Sequence, residues 1–127
     1  FYINAAAGDA SVVEWDPHDP DSAFKATPVR QVTNFYACYG DEVLPNQKND
    51  ELGHGKERAV AIADVLDAHA GAQDEAVAWK ALRAAAQEPN PEDITSNTQW
   101  SVVFDNTEPA AAITLRRHWG DVDAFAL

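Results

Sequence analysis

The spacing of apolar residues changes period twice along this chain of 127 residues, and that order restricts the architecture more than any single motif does. Up to Tyr36 the apolar residues come in short runs broken by turn formers, the mark of strands. Phe1 to Ala7 reads as a first strand and Ser11 to Asp16 as a second, with a turn around Gly8 and Asp9. In the second, Val13 and Trp15 share a face opposite Val12 and Glu14. The segment from Asp16 to Ser22 holds two prolines, which remove ladder donors, so it leaves the sheet. Two short strands are then expected near Phe24 to Thr27 and Val29 to Tyr36, followed by a polar loop from Gly40 to about His54.

Beyond that loop the period becomes helical. Arg58, Ala59, Ile62, Val65, Leu66 and His69 recur on one side, with Lys56, Glu57, Asp64 and Asp67 on the other. A second helix is expected from about Gln73 to Gln87, led by Asp74 and Glu75 where the helix dipole favours anions, and stopped by Pro89 and Pro91. The period then returns to two. Trp100, Val102 and Phe104 alternate with Ser101, Val103 and Asp105, a turn follows at Asn106 to Pro109, and Ala110 to Trp119 alternates again. Asp123 to Leu127 adds a closing edge strand. Strands, two helices, then strands predict an α+β fold, mainly antiparallel sheet with two helices packed on one face, rather than a βαβ parallel sheet.

A chain of this length suits one domain, covering 1–127. Its apolar content of 46% and aromatic content of 9% belong to a globular protein. Nine Lys plus Arg against 21 Asp plus Glu give a formal charge of -12, which argues against nucleic acid or an anionic membrane surface as partner. One cysteine, Cys38, cannot close an internal disulfide, and no Cys/His spacing fits zinc. No apolar run approaches the roughly 20 residues of a membrane helix, and no basic-then-apolar signal segment opens the sequence. A cytoplasmic location is the expectation. Because the sequence opens on Phe1, without Met and in what reads as a strand, the natural N-terminus is expected to lie upstream.

Two positions break the pattern. Arg58 lies on the helix face that should be buried, where an unpaired guanidinium costs several kcal/mol, so it must reach a carboxylate or another anionic group. The plainer alternative is an Arg that snorkels out of the interface or forms a structural ion pair. Asn34 ends the apolar run Val32-Thr33-Asn34-Phe35-Tyr36, where an amide is a poor strand former unless its side chain has a task, such as donating N–H to a developing oxyanion. The plainer alternative there is an Asn that closes its own turn. Other candidates are weaker. Cys38 has no base beside it and reads as a small buried apolar residue. His18, His54, His69 and His118 match no zinc spacing. The aspartates from Asp16 to Asp21 lack the central Gly and downstream Glu of a calcium loop. Arg116 and Arg117, read as strand residues, face opposite sides.

Taken in order, Ala-Gly-Asp-Ala-Ser-Val-Val-Glu-Trp (7–15), Gln-Val-Thr-Asn-Phe-Tyr (31–36), Gly-His-Gly-Lys-Glu-Arg (53–58) and Thr-Gln-Trp-Ser-Val-Val-Phe-Asp (98–105) resemble the second half of the choloylglycine hydrolase family. Leu115 to Leu127 resembles that family's closing strands. The family comprises bile salt hydrolases, penicillin V acylases and related linear-amide hydrolases. The resemblance implies an N-terminal-nucleophile hydrolase, of which this chain is the C-terminal part of a four-layered αββα sandwich. The implied nucleophile is a cysteine at residue one of the mature protein, its own α-amine acting as base. By the same resemblance Asn34 helps form the oxyanion site and Arg58 organises the nucleophile, with no metal or organic cofactor. Phe1 has no nucleophilic atom, so the chain alone is expected to be inactive. The implied partners are a small-molecule amide substrate and the N-terminal half of the domain, with a homo-oligomer left open. The alternative is a non-catalytic binding or scaffolding module built on the same sheet, and an uncovered apolar sheet face would favour the enzyme part over it.

Overall fold

Two short apolar segments early in the chain pair with each other. In the computed structural model, which describes residues 2–6, 9–16, 19, 21, 24–40, 55–71, 74–93, 97–105 and 107–127, β1 (Tyr2–Ala6) pairs antiparallel with β2 (Asp9–Glu14). Tyr2 lies opposite Val13 and Ala6 opposite Asp9. β3 (Lys25–Pro28) adds to the other edge of β2, with Ser11 opposite Pro28 and Glu14 opposite Lys25. The two-residue period of β2 buries Val12 and Glu14 on one face. Just beyond the strand, Trp15 is exposed and stacks at a tilt on Phe24, their ring centroids 4.6 Å apart.

The strand expected from Val29 to Tyr36 does not form. Pro28 has no amide hydrogen to continue the ladder, and the chain leaves the sheet there. Of the expected pairing only an isolated bridge between Thr33 and Phe35 is seen, so Asn34 sits in a tight bend and not at a strand tip.

Helix α1 (Gly55–Ala68) carries Glu57 in its first turn, the end where a negative charge is favoured. Helix α2 (Glu75–Ala84) is capped by Asp74, whose side chain accepts from Val77 N at 3.0 Å, with Glu75 in its first turn and Arg83 in its last. It stops earlier than the expected Gln87 because the backbone there turns to another partner: Gln87 N donates to Thr98 Oγ1 at 2.8 Å and Thr98 N donates to Gln87 O at 3.2 Å.

The last third is a second antiparallel meander, β4 (Trp100–Asp105), β5 (Ala110–Leu115) and β6 (Asp123–Ala126). Its register places Trp100 opposite Leu115, Val102 opposite Ile113, and Ala111 between Phe104 and Phe125. These share one face. Ser101, Val103, Ala112 and Thr114 share the other, and α2 packs against β4, its Ala78 bordering the same cleft as Val103, Ala112 and Ala124. Val77 and Ala81 of α2 are buried, as are Ser101 and Thr114. On the opposite face the large side chains are exposed, Trp100 60% and Phe104 58%, around a buried Ala111.

β5 ends at Leu115, short of the expected Trp119, because Arg116 and Arg117 both adopt left-handed backbone (φ 47° and 64°). The pair therefore forms a turn, closed by His118 N donating to Leu115 O at 2.9 Å, and does not sit on opposite faces of a strand. Arg117 makes an ion pair with Glu88, and Arg83 lies over the Trp119 ring at 5.3 Å.

The class is α+β with antiparallel pairing throughout the described strands, which divide into two three-stranded sheets. The chain separates into two compact units, Phe1–Ala63 and Asp64–Leu127, the division falling inside α1.

Candidate functional site

Asn34 and Arg58, singled out separately in the sequence, meet within the first unit. Arg58 Nη2 donates to Asn34 Oδ1. A guanidinium has no acceptor, so the oxygen branch of the carboxamide must face it. The nitrogen branch, with its two hydrogens, therefore points away from Arg58. Arg58 is half-buried and Asn34 exposed, so the pair stands at the surface with one positive charge beside one directed amide. Such an arrangement can hold an oxygen on which negative charge develops.

The bend that carries Asn34 is pressed onto the start of α1. Thr33 Oγ1 donates to Gly55 O at 2.6 Å. A Cβ on the buried Gly55 would come within 2.6 Å of the Asn34 carbonyl carbon and 2.8 Å of Oδ1, so only glycine permits this approach. On the far side of the bend Phe35 seats its ring against Gly40, where a Cβ would meet ring carbons at 2.3 Å, and Lys56 lies 5.6 Å from the ring centre.

A second set of contacts fastens the turn just after the bend. Glu14, 2% exposed, accepts from Ala37 N and Cys38 N, one bond to each carboxyl oxygen, both 2.6 Å. Cys38 Sγ and Thr27 Oγ1 share a hydrogen bond. Burial pushes the Cys38 thiol up, with the Thr27 contact opposing, which keeps it protonated and a poor nucleophile. Beside this turn lies a cavity of about 650 Å³ whose lining includes Val12, Val29, Val32, Phe35, Ala59 and Val60. Lys56 also borders it, although the wheel put that residue on the polar side of α1.

The remaining candidates take structural places. His69 receives Lys80 Nζ at Nε2 (3.0 Å), which leaves Nδ1 to donate to Val65 O at 2.8 Å. The carbonyl of His118 accepts from Thr114 Oγ1 at 2.8 Å. His18 and His54 lie outside the described residues. Among the described residues no three His, Cys, Asp or Glu side chains are grouped as a metal ion would need, and no helix is long and apolar enough to cross a membrane.

Sequence reasoning missed Glu14 and Gly55 as parts of this assembly. Glu14 gave a usable signal, since a carboxylate sharing a strand face with Val12 must find donors once that face is buried. Gly55 gave none, because its contact depends on a close approach between segments far apart in sequence. No known family model, curated protein or solved structure matches the chain.

Proposed function

We propose that this chain is the C-terminal part of an N-terminal-nucleophile hydrolase that cleaves linear amide bonds, of the kind found in conjugated bile salts or penicillin V. The observation that carries this reading is the hydrogen bond from Arg58 to Asn34, which joins the oxyanion donor and the organising cation that the resemblance assigns to these positions. In this reading a cysteine on the N-terminal segment attacks the carbonyl, Asn34 Nδ2 donates to the oxyanion, and Arg58 holds the amide and offsets the charge. The open face of Trp100, Phe104, Leu115 and Phe125 is where the second sheet of the αββα sandwich packs. It also weighs against a self-sufficient scaffolding module. A reducing compartment keeps both the free Cys38 thiol and the nucleophilic cysteine unoxidised, so we place the enzyme in the cytoplasm.

The test uses the product of the complete reading frame that contains this sequence, assayed for release of free amine from glycine-conjugated cholate and from penicillin V. Asn34→Ala is expected to lower kcat by roughly 100-fold or more while binding changes little. Hydrolysis that is unaffected by Asn34→Ala, or no amine released from any linear amide, overturns the reading.

A further inference from the structure

We infer that Glu14 is a positioning residue for the Asn34 amide, acting from the sheet side as Arg58 acts from the helix side; this inference rests on the functional reading of Asn34. Glu14 sits at the end of β2, and its side chain is among the most completely buried in the described structure. A carboxyl group withdrawn from water is costly unless its oxygens are engaged, and here each oxygen accepts one backbone N–H, from Ala37 and from Cys38. The cost of burial makes the arrangement specific: moving the turn away from Glu14 leaves a carboxylate without donors.

The turn at Ala37–Tyr39 has two further anchors on the same sheet. Thr27 of β3 bonds the Cys38 thiol, and Lys25 of β3 lies 5.5 Å over the Tyr39 ring. Upstream, Phe35 folds back so that its ring occupies the space above Gly40, and Thr33 is bridged to Phe35 across Asn34. Residues 33 to 40 thus form one short knot of chain. Its downstream half is tied to β2 and β3, and its upstream half to Gly55 and Arg58 of α1. The Glu14 tie sets a buried carboxyl group against two main-chain donors, so a displacement there has no cheap alternative and is passed along the knot to Asn34.

The experiment is nuclear magnetic resonance on the 15N-labelled chain, comparing the native protein with Glu14→Gln and Thr27→Val. In the native protein the Ala37 and Cys38 amides should exchange with solvent roughly 100-fold more slowly than open turn amides. Glu14→Gln keeps the volume but turns an amide NH2 toward one of the two donors. It should speed exchange at Ala37 and Cys38 by roughly tenfold or more and shift the Asn34 Nδ2 and Arg58 Nη resonances. Thr27→Val should leave the Asn34 side-chain signals in place. The inference is overturned by fast exchange of both amides in the native protein, by Asn34 signals that stay fixed in Glu14→Gln, or by equal movement in Thr27→Val. None of these readouts needs turnover. Unchanged hydrolysis by an Asn34→Ala enzyme overturns the oxyanion role of Asn34, whereas Asn34 signals that stay fixed in Glu14→Gln overturn its coupling to Glu14, so the two failures are told apart.

Discussion

The two sheets have the same form, three antiparallel strands in sequence order, yet they place their polar and bulky groups in opposite ways. In the first unit a carboxyl group is buried behind β2 and reaches out to hold a loop. Among the described residues of the second, the buried polar groups are the hydroxyls of Ser101 and Thr114, while the large aromatics Trp100, Phe104 and Phe125 are left facing outward. On the helix side of the second sheet α2 packs against β4, and the small residues Ala112 and Ala124 line a cleft beside it. Buried polarity in the first unit thus positions a surface loop carrying candidate chemistry. In the second it only closes a turn, and the apolar surplus is set out where another layer can cover it.

The largest expected test of this contrast is Gly55→Ala. The new methyl group meets the Asn34 backbone, so the bend must move off α1, at a cost of about 2 kcal/mol despite alanine's better helix propensity. Urea melts should register that loss, with amide exchange accelerating around Thr33 to Phe35 and not in the second sheet. Thr114→Val comes next. It removes a hydroxyl that donates to His118 O (2.8 Å) and Asp121 O (2.9 Å), and it should cost about 1 kcal/mol, with the exchange pattern reversed between the units.

Phe104→Lys sharpens the comparison differently. Since the side chain is mostly exposed, stability should change by less than about 0.5 kcal/mol, while binding of a hydrophobic dye to the open face falls. A large loss of stability would mean that this face is already covered.

The smallest effects lie in pH. Asp105 is held below its usual range by backbone N–H groups of Glu108 and Thr107, and Glu88 by Arg117. Both carboxyls are more acidic when folded, so their support is present above the ordinary carboxylate pKa and fades as pH falls through the lowered folded values. Cys38 runs the other way. Its folded pKa is raised, so the folded state binds the proton more tightly, and stability should decline as pH rises beyond the ordinary thiol value of 9.0. Exchange measured across pH should therefore loosen the hairpin of β4 and β5 on the acid side and the Ala37–Tyr39 turn on the alkaline side.

Regular spacing made much of this legible beforehand. Alternation in Trp100 to Asp105 placed β4 and its two faces, and Asp74 with Glu75 marked the start of α2, because these signals are local. The segment from Val29 to Tyr36 was misread since its apolar run looks like a strand, while Pro28 and the close contact with Gly55 decide otherwise. Arg116 and Arg117 were misread for a related reason. Nothing in their chemistry favours left-handed backbone, and the turn is imposed from outside by what lies on either side of it. Asn34 and Arg58 stood out because each contradicts its surroundings; that they touch is a matter of tertiary geometry.

That paired arginine turn has a further consequence. Two bulky residues with positive φ cost about 1 kcal/mol or more apiece relative to glycine or asparagine. The corner between β5 and Trp119 is thus a loaded spring, held shut by the clasp of Arg117 on Glu88 and by the contacts of Trp119 with Trp79 and Arg83. Release of either catch would let the corner unwind first, so the closing edge strand is the part of the second sheet that should peel away earliest under load.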